Sequence, residues 1–267
     1  MHCIFTVFLS LTILSAAFER SPSSPLQMGM GFSALSVEDT PLAGVNHPAS
    51  ISRFTSKSTD LFYTDSYQLT NLNYSGIALV YPLSFVKIGA ATTSFGSPLY
   101  RETSFSIIVA RAVGTYLNIG LSLNYYELTI KRYGATSTTA ISTSFSYALA
   151  ENLKWSLLYR NLNSPRIGTS RELLPQVVST GFLYTPVKQI VTTFEVENDL
   201  LFTPRFKFGI GWSPLTGLRF AAGFVTHPSQ ATAAIQILWK GQKISYAIAN
   251  HPDLPVSQMV AVQFRLP

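Results

Sequence analysis

The stretch Pro204–Val225, with the sequence PRFKFGIGWSPLTGLRFAAGFV, is the part of the chain that decides the predicted fold. Bulky apolar residues alternate with charged or small ones, and the alternation resumes after a turn containing Pro214 and Gly217. Period-two alternation on both sides of a Pro/Gly turn is typical of an antiparallel hairpin. Because one face carries Phe, Ile, Trp and Leu, we expect it to contact lipid as one unit of a closed barrel.

The composition supports the same interpretation. The chain has 267 residues, of which 47% are hydrophobic and 12% are charged, whereas soluble domains average roughly 25% charged residues. A spanning helix needs about 20 consecutive apolar residues, and only the N-terminus approaches that length. An apolar, charge-poor chain without long apolar runs is typical of a transmembrane β-barrel.

Residues 1–17 have the pattern of a secretory signal peptide, with an apolar stretch from Cys3 to Leu14 followed by small residues up to Ala17. The alternative is an uncleaved anchor, because no Lys or Arg precedes the apolar stretch. Residues 18–56 are predicted to form a linker and an N-terminal hatch, and residues 57–267 the barrel. The net charge of +6 is spread along the chain, so we expect no nucleic-acid partner.

About fourteen alternating segments follow Lys57, each near the 9–11 residues that cross a bilayer at a tilt. They predict an all-β, antiparallel up-and-down transmembrane β-barrel. Short turns alternate with longer polar connections, among them Ser94–Thr103 and Lys131–Ser137. This asymmetry is typical of bacterial outer-membrane barrels, in which the short turns are periplasmic. Along Ile119–Ile130, the apolar residues change from one face of the strand to the other at Tyr125-Tyr126. This change predicts a β-bulge or a strand leaving the bilayer there.

The segment before the barrel does not alternate, and we expect it to fill the barrel as a plug. Met28–Leu35 can form a short strand, and Asp39 or Thr40 before Pro41 can cap a short helix. A turn is then predicted, which we call the hatch turn and which comprises Asn46, His47, Pro48 and Ala49.

Aromatic residues concentrate next to the short turns. Trp and Tyr favour the membrane–water boundary, so we predict a girdle on the periplasmic side; the alternative is a set of aromatics in a sandwich core. The predicted girdle residues are Tyr81, Trp155, Tyr184, Trp212 and Trp239.

Two charge pairs are predicted inside the lumen. Antiparallel pairing across the loop 199–204 places Glu197 opposite Arg205 and Glu195 opposite Lys207, about 5 Å apart on one face. Either they support strand pairing or they form a charged constriction, and we favour the first interpretation.

No catalytic, cofactor or metal site is predicted. His47-Pro48, His227-Pro228 and His251-Pro252 suit turns better than a metal site, because no set of close Cys or carboxylate ligands accompanies them. We expect no cofactor and no enzymatic activity; a barrel phospholipase or protease remains the alternative.

Two stretches resemble the PorV/PorQ proteins and their fatty-acid-transporter-like (FadL-like) relatives. The first is Met28–Thr40 together with Asn46–Ile51, which is similar to the Gly-rich opening, acidic helix and Asn-Pro-Ala turn of that group. The second is Tyr246–Leu254, which is similar to its His-Pro ending. His47 lies within the turn here, and Pro255 stands where the group has Gly.

The resemblance implies a fourteen-stranded outer-membrane barrel with a short hatch. Its members either admit hydrophobic small molecules or act as carriers in type IX secretion. The implied partners are therefore outer-membrane lipid and a hydrophobic ligand, a secretion translocon or a secreted cargo. A secreted, soluble β-sandwich that binds a ligand is the remaining alternative.

Overall fold

Fourteen strands form a closed antiparallel barrel in the computed structural model, which describes residues 17–18, 24–35, 40–69, 71–200 and 202–266. Barrel strands that follow one another along the chain pair, and the first pairs with the last, from Ser58 opposite Arg265 to Asp65 opposite Gln258. The predicted fold class is confirmed, and the β-sandwich alternative is wrong because the sheet closes on itself. The predicted signal peptide lies almost wholly outside the described residues.

The strands are numbered along the chain, and β8 and β9 form a separate two-stranded sheet inserted between β7 and β10. Their bounds are β1 (Ser58–Asp65), β2 (Asn73–Pro82), β3 (Lys87–Gly96), β4 (Tyr100–Val113), β5 (Leu117–Ile130), β6 (Gly134–Ala150), β7 (Leu153–Arg160), β8 (Arg166–Ile167), β9 (Glu172–Leu173), β10 (Val177–Val187), β11 (Ile190–Asp199), β12 (Arg205–Leu215), β13 (Leu218–Val225), β14 (Gln230–Trp239), β15 (Gln242–Ala249) and β16 (Ser257–Arg265).

The alternation in the sequence separates the two faces of the wall. On β12, Phe206, Phe208, Ile210 and Trp212 are exposed on the outside, whereas Lys207 is buried inside. The buried core therefore lies within the barrel, between the wall and the segment before β1. An apolar outer belt around a closed barrel is the arrangement that matches a hydrocarbon environment.

The barrel has a turn end, with the short connections, and a loop end. Strands β4, β5 and β6 have 14, 14 and 17 residues, whereas β1 has only 8.

The predicted loops Ser94–Thr103 and Lys131–Ser137 are wrong in extent, because strands continue through most of both and leave tight turns. Their Ser and Thr residues are polar but suit a β-strand well, so their polarity did not indicate a loop.

The predicted bulge at Tyr125-Tyr126 is also wrong. The pairing of β5 with both neighbours runs without a shift from Leu117 to Ile130. Parity changes because the inner face becomes apolar near the loop end, where Tyr126 and Leu128 contact other lumenal residues. Register shifts occur instead next to three connections at the turn end.

The segment before β1, here called the hatch (residues 24–35 and 40–54), lies inside the barrel. It contains α1 (Pro25–Gly29), α2 (Ala43–Asn46) and a 3₁₀ helix (Pro48–Arg53). The predicted strand over Met28–Leu35 is wrong, because α1 includes Met28 and Gly29 and turns follow from Met30 to Leu35. Ser24 caps α1 by accepting a hydrogen bond from Gln27 N, and Pro25 occupies the first turn. Within the described ranges, none of the helices has the length and apolar character that a membrane crossing requires.

Thr40 has the capping contact that the sequence predicted, because its Oγ1 accepts a hydrogen bond from Ala43 N at 3.2 Å.

Apolar residues of α1 pack on small residues of the wall. Leu26 and Met28 belong to one buried cluster with Ala234, Ala247 and Met259, which lie on β14, β15 and β16. The hatch thus supplies bulky side chains that pack on Ala234 and Ala247 of the late strands, together with Met259.

Candidate ligand cavity in the barrel lumen

A cavity of about 470 Å³, here called the lumen cavity, lies above the hatch and towards the loop end. Met28 and Phe32 of the hatch line it from below, and His227 and His251 lie at its upper rim. The volume is within the range of small-molecule pockets. The described residues therefore form a partly open space of ligand size in the lumen, with the hatch beneath it.

One side of the lumen cavity is aromatic. Tyr74 and Phe95, on adjacent strands, have ring centroids 6.1 Å apart, and Phe62 lies 5.2 Å from Tyr74. Phe18 and Tyr126 form a second ring pair at 4.7 Å. Rings at these separations provide an extended apolar face that suits a flat hydrophobic molecule.

The wall formed by β4, β5 and β6 is polar. Ser106 Oγ donates to Asn124 Oδ1 at 2.7 Å, and Asn124 Nδ2 donates to Ser142 Oγ at 3.3 Å and to Ser122 Oγ at 3.2 Å. These groups satisfy one another, so this part of the wall presents neutral hydroxyl and amide groups, and the carboxylate of Glu102 lies further along β4. An amphipathic molecule could place its ring against Tyr74 and a polar atom against this ladder.

The lumen charge residues lie between the cavity and the hatch. Glu195 is opposite Lys207 and Glu197 is opposite Arg205 in the β11–β12 pairing. Lys207 Nζ is 3.3 Å from Glu195 Oε1 and 2.8 Å from Glu197 Oε2, whereas Arg205 is 3.8 Å from Glu197. Lys207 and both glutamates are buried, so the group forms one ionic network centred on Lys207 rather than two separate pairs.

This network also holds the hatch, which the sequence did not predict. Ser33 Oγ and Leu35 N both donate to Glu195 Oε2, at 2.7 and 3.1 Å. Lys207 Nζ donates to Phe32 O at 3.1 Å. The charges therefore fix the hatch segment 32–35 to β11 and β12, directly below the lumen cavity.

The hatch turn is anchored on the opposite wall. His47 Nε2 lies 2.9 Å from Ser146 Oγ, and Ala49 N donates to Ser144 Oγ at 2.8 Å. Asn46 lines the lumen cavity. Pro48 begins the 3₁₀ helix, whose last residue, Arg53, donates to Thr115 O at the turn end. The hatch thus crosses the lumen from β11 and β12 to β5 and β6.

The connection 161–176 folds inward over the loop end. Ile167 and Leu174 are buried against Leu128 and Phe18. Asn161 Nδ2 donates to Pro175 O at 2.7 Å, which closes the base of this loop. The loop therefore covers the lumen on the β5–β6 side.

The aromatic residues of the predicted girdle all lie on the outer face within a few residues of the turn end. Tyr81, Tyr184, Trp212 and Trp239 are exposed, and Trp155 is half-buried, with its Nε1 donating to Thr180 Oγ1 at 2.9 Å. Lys240 Nζ lies 4.9 Å above the Trp239 ring. Their position is that of side chains at one boundary of an apolar belt.

Two of the three His-Pro histidines have side-chain contacts in the structure, His47 with Ser146 and His251 with Tyr67. His251 contacts the Tyr67 ring at 5.4 Å, edge-on, and His47 lies under the cavity. In the part of the chain that the structure describes, no group of three or more His, Cys, Asp or Glu residues is placed to hold a metal ion.

Sequence reasoning did not identify Glu102, Tyr126, Asn124, Ser142 or Arg160 as cavity residues. The inward direction of Glu102, Asn124, Ser142 and Arg160 was readable, because each lies on the polar face of a strand, whereas the change of apolar parity on β5 hid that of Tyr126. The sequence did not give their position along the barrel axis relative to the hatch, and only inward residues on the loop side of the hatch line the lumen cavity.

No protein-family model matches the sequence, and no curated protein is significantly similar to it. Solved structures share the fold. The chain is similar to the Ralstonia pickettii toluene transporter TbuX, with a TM-score of 0.65, 12% identity, and coverage of 91% of this chain and 98% of TbuX. The corresponding values for the monoaromatic hydrocarbon channel CymD are 0.68, 10%, 91% and 97%. Those for the P. putida toluene transporter TodX are 0.65, 11%, 91% and 98%. The chain therefore shares its barrel fold with these three channels and transporters.

Proposed function

We propose that this protein is an outer-membrane channel that admits small hydrophobic molecules of about the size of one aromatic ring. The observation that carries the proposal is the lumen cavity, which is enclosed by a closed barrel and has a hatch as its floor. Its aromatic side around Tyr74 suits an apolar ring, and its polar wall around Asn124 suits an attached polar atom. The likeness to the toluene transporters supports the same ligand class.

The membrane location belongs to the same proposal. The apolar outer face and the aromatic residues at its turn end favour insertion with the short turns in the periplasm. Fractionation should recover the protein in the outer membrane, with a heat-modifiable mobility on gels. Recovery as a detergent-free soluble protein would contradict the location whatever the cavity binds.

Ligand binding is tested by equilibrium dialysis of the detergent-solubilised protein against radiolabelled toluene. Ser142 is buried and lines the cavity, so Ser142→Phe should fill that space and abolish saturable binding. Thr143→Phe is the matched control, because the adjacent side chain is on the outer face of the same strand. Equal binding by the two variants, or no saturable binding by the wild type, would contradict the proposal.

A second candidate is a carrier role in type IX secretion, as for PorV/PorQ proteins. The hatch turn and the His251-Pro252 ending favour it by sequence alone. Cross-linking in cells followed by purification should then recover a translocon component or a secreted cargo. Recovery of the barrel with lipid or hydrocarbon only would favour the channel.

We also propose that the barrel is not an enzyme. His47 and Ser146 are close, but both are buried between the hatch and the wall, where no substrate can reach them. Lipid or peptide hydrolysis by the pure protein would contradict this proposal.

A further inference from the structure

Phe18 lies inside the barrel, far from the outer surface. Its backbone N donates to Glu102 Oε2 at 2.9 Å, and its ring is 4.7 Å from that of Tyr126. Leu128, Ile167 and Leu174 complete an apolar site around it. The site therefore combines one carboxylate with an aromatic and aliphatic pocket, and the chain's own Phe18 occupies it.

The sequence predicts a signal peptide that ends at Ala17, so this nitrogen is the atom that processing would release. We propose that Phe18 is the first residue of the processed protein and that its α-ammonium group docks on Glu102. A signal peptidase would add water across the Ala17–Phe18 amide, leaving a carboxylate on Ala17. The freed amine of Phe18 then takes up a proton.

The chemistry of Glu102 fits an ammonium partner. The carboxylate is buried, Tyr100 Oη donates to Oε1 at 2.7 Å and so orients the group, and Phe18 N donates to Oε2. The bond from Phe18 N to the Glu102 carboxylate is already charge-assisted, because its acceptor is ionised, and an ammonium donor adds the attraction of the opposite charge.

The backbone of Phe18 points the same way. Its φ is 57°, in the left-handed region that non-glycine residues rarely adopt. This torsion is defined by the Ala17 carbonyl carbon and no longer exists once the bond is cut. Cleavage therefore removes the unfavourable conformation while keeping both the ring packing and the contact with Glu102.

Occupation of the cavity follows from this docking. Phe18 lines the lumen cavity, so the processed N-terminus is a resident aromatic amine within it. This consequence rests on the channel function proposed above: a ligand that enters the cavity must pack beside Phe18 or displace it. The docking itself does not depend on transport, and its tests use no transported molecule.

The first test is N-terminal sequencing and intact mass of the full chain, expressed with its own leader and purified in detergent. The expected protein begins at Phe18. A chain that begins elsewhere, or that retains residues 1–17, would overturn the proposal without bearing on whether the cavity binds toluene.

The second test measures reductive methylation of the Phe18 α-amine in the folded protein, by mass spectrometry of the N-terminal peptide. Glu102→Gln should speed labelling about tenfold, as expected when a charge-assisted hydrogen bond is lost. Leu128→Ala should also speed it by opening the apolar site. Glu127→Gln, at the same end but on the outer face of β5, is the control and should label like the wild type.

Heat-modifiable mobility establishes that each variant is folded before labelling. Should Glu102→Gln not fold, Leu128→Ala decides the question alone. Labelling at the wild-type rate in the folded variants would show that the amine is not held in this site.

Discussion

Lys207 links the barrel wall to the hatch through a buried network. It contacts Glu195, Glu197 and the carbonyl of Phe32. Burying a lysine away from water is costly unless opposite charges and hydrogen bonds compensate for it. Here two carboxylates compensate one ammonium, so the network depends on Lys207 more than on either glutamate.

We predict that Lys207→Met destabilises the barrel by about 3–5 kcal/mol, because it leaves two buried carboxylates facing each other. The midpoint of urea unfolding, followed by heat-modifiable mobility, measures the change. Arg205→Gln is the control. The distance from Arg205 Nη1 to Glu197 Oε1 is 3.8 Å, and the Arg205 side chain is 40% exposed. The free energy of unfolding should therefore fall by only about 0–1 kcal/mol in this variant. Similar losses in the two variants would show that Lys207 has no special role.

At the residue scale, the sequence predicted which charges face each other but not what they hold. Strand register follows from alternation and the turn, so Glu195 and Lys207 could be paired on paper. Ser33 could not be placed, because the hatch has no periodicity that fixes its position against a strand.

At the element scale, the 3₁₀ helix Pro48–Arg53 sits against the inner wall at a point with no side chain. A Cβ on Gly120 would lie 2.3 Å from Ala49 N and from Pro48 C. The hatch backbone therefore rests directly on β5, and glycine is needed there for close approach rather than for its torsion angles.

We predict that Gly120→Ala displaces the 3₁₀ helix and exposes the peptide bond after Arg53 to trypsin. Cleavage there should be at least several-fold faster than in the wild type, since the overlap involves backbone atoms that cannot rotate away. Limited proteolysis with mass analysis measures it. Ser122→Ala, two residues along the same inner face, should cleave at the wild-type rate, and equal cleavage of both variants would contradict the predicted contact.

The existence of each barrel strand could be predicted, whereas several strand ends could not. Alternation identifies a strand wherever lipid and lumen differ in polarity. It fails at the loop end of β5, where Tyr126 and Leu128 face an apolar site made by a distant loop and by Phe18. Tertiary contacts there reverse the usual polarity of the inner face.

At the scale of the whole molecule, closure depends on the pairing of β1 with β16. Val260 lies opposite Tyr63 on one side and Tyr246 on the other. A gap at this position would leave two strands with unpaired edges in hydrocarbon, which is strongly unfavourable.

We predict that Val260→Pro prevents closure, because proline removes a ladder donor and is confined to edge strands. The fraction of protein with heat-modifiable mobility should fall to near zero. Val260→Ile keeps the β-branched side chain and should fold like the wild type. A normal folded fraction for Val260→Pro would mean that this seam does not need continuous hydrogen bonding.

The architecture was the most predictable property of the chain, and the cavity the least. Fourteen strands follow from a repeating pattern that every hairpin carries, as Pro204–Val225 illustrates. The cavity is what remains after the hatch has filled the lower lumen, so it depends on packing between residues such as Phe32 and Tyr74 that no local pattern relates.

The contact of α1 with β14, β15 and β16 has a consequence for the order of assembly. An N-terminal helix that packs on the last three strands completes their inner face, because Leu26 and Met28 cluster with Ala234, Ala247 and Met259. The earliest part of the chain can then serve as a template on which the final hairpin docks. Sealing of the cylinder and seating of its floor would be a single cooperative event.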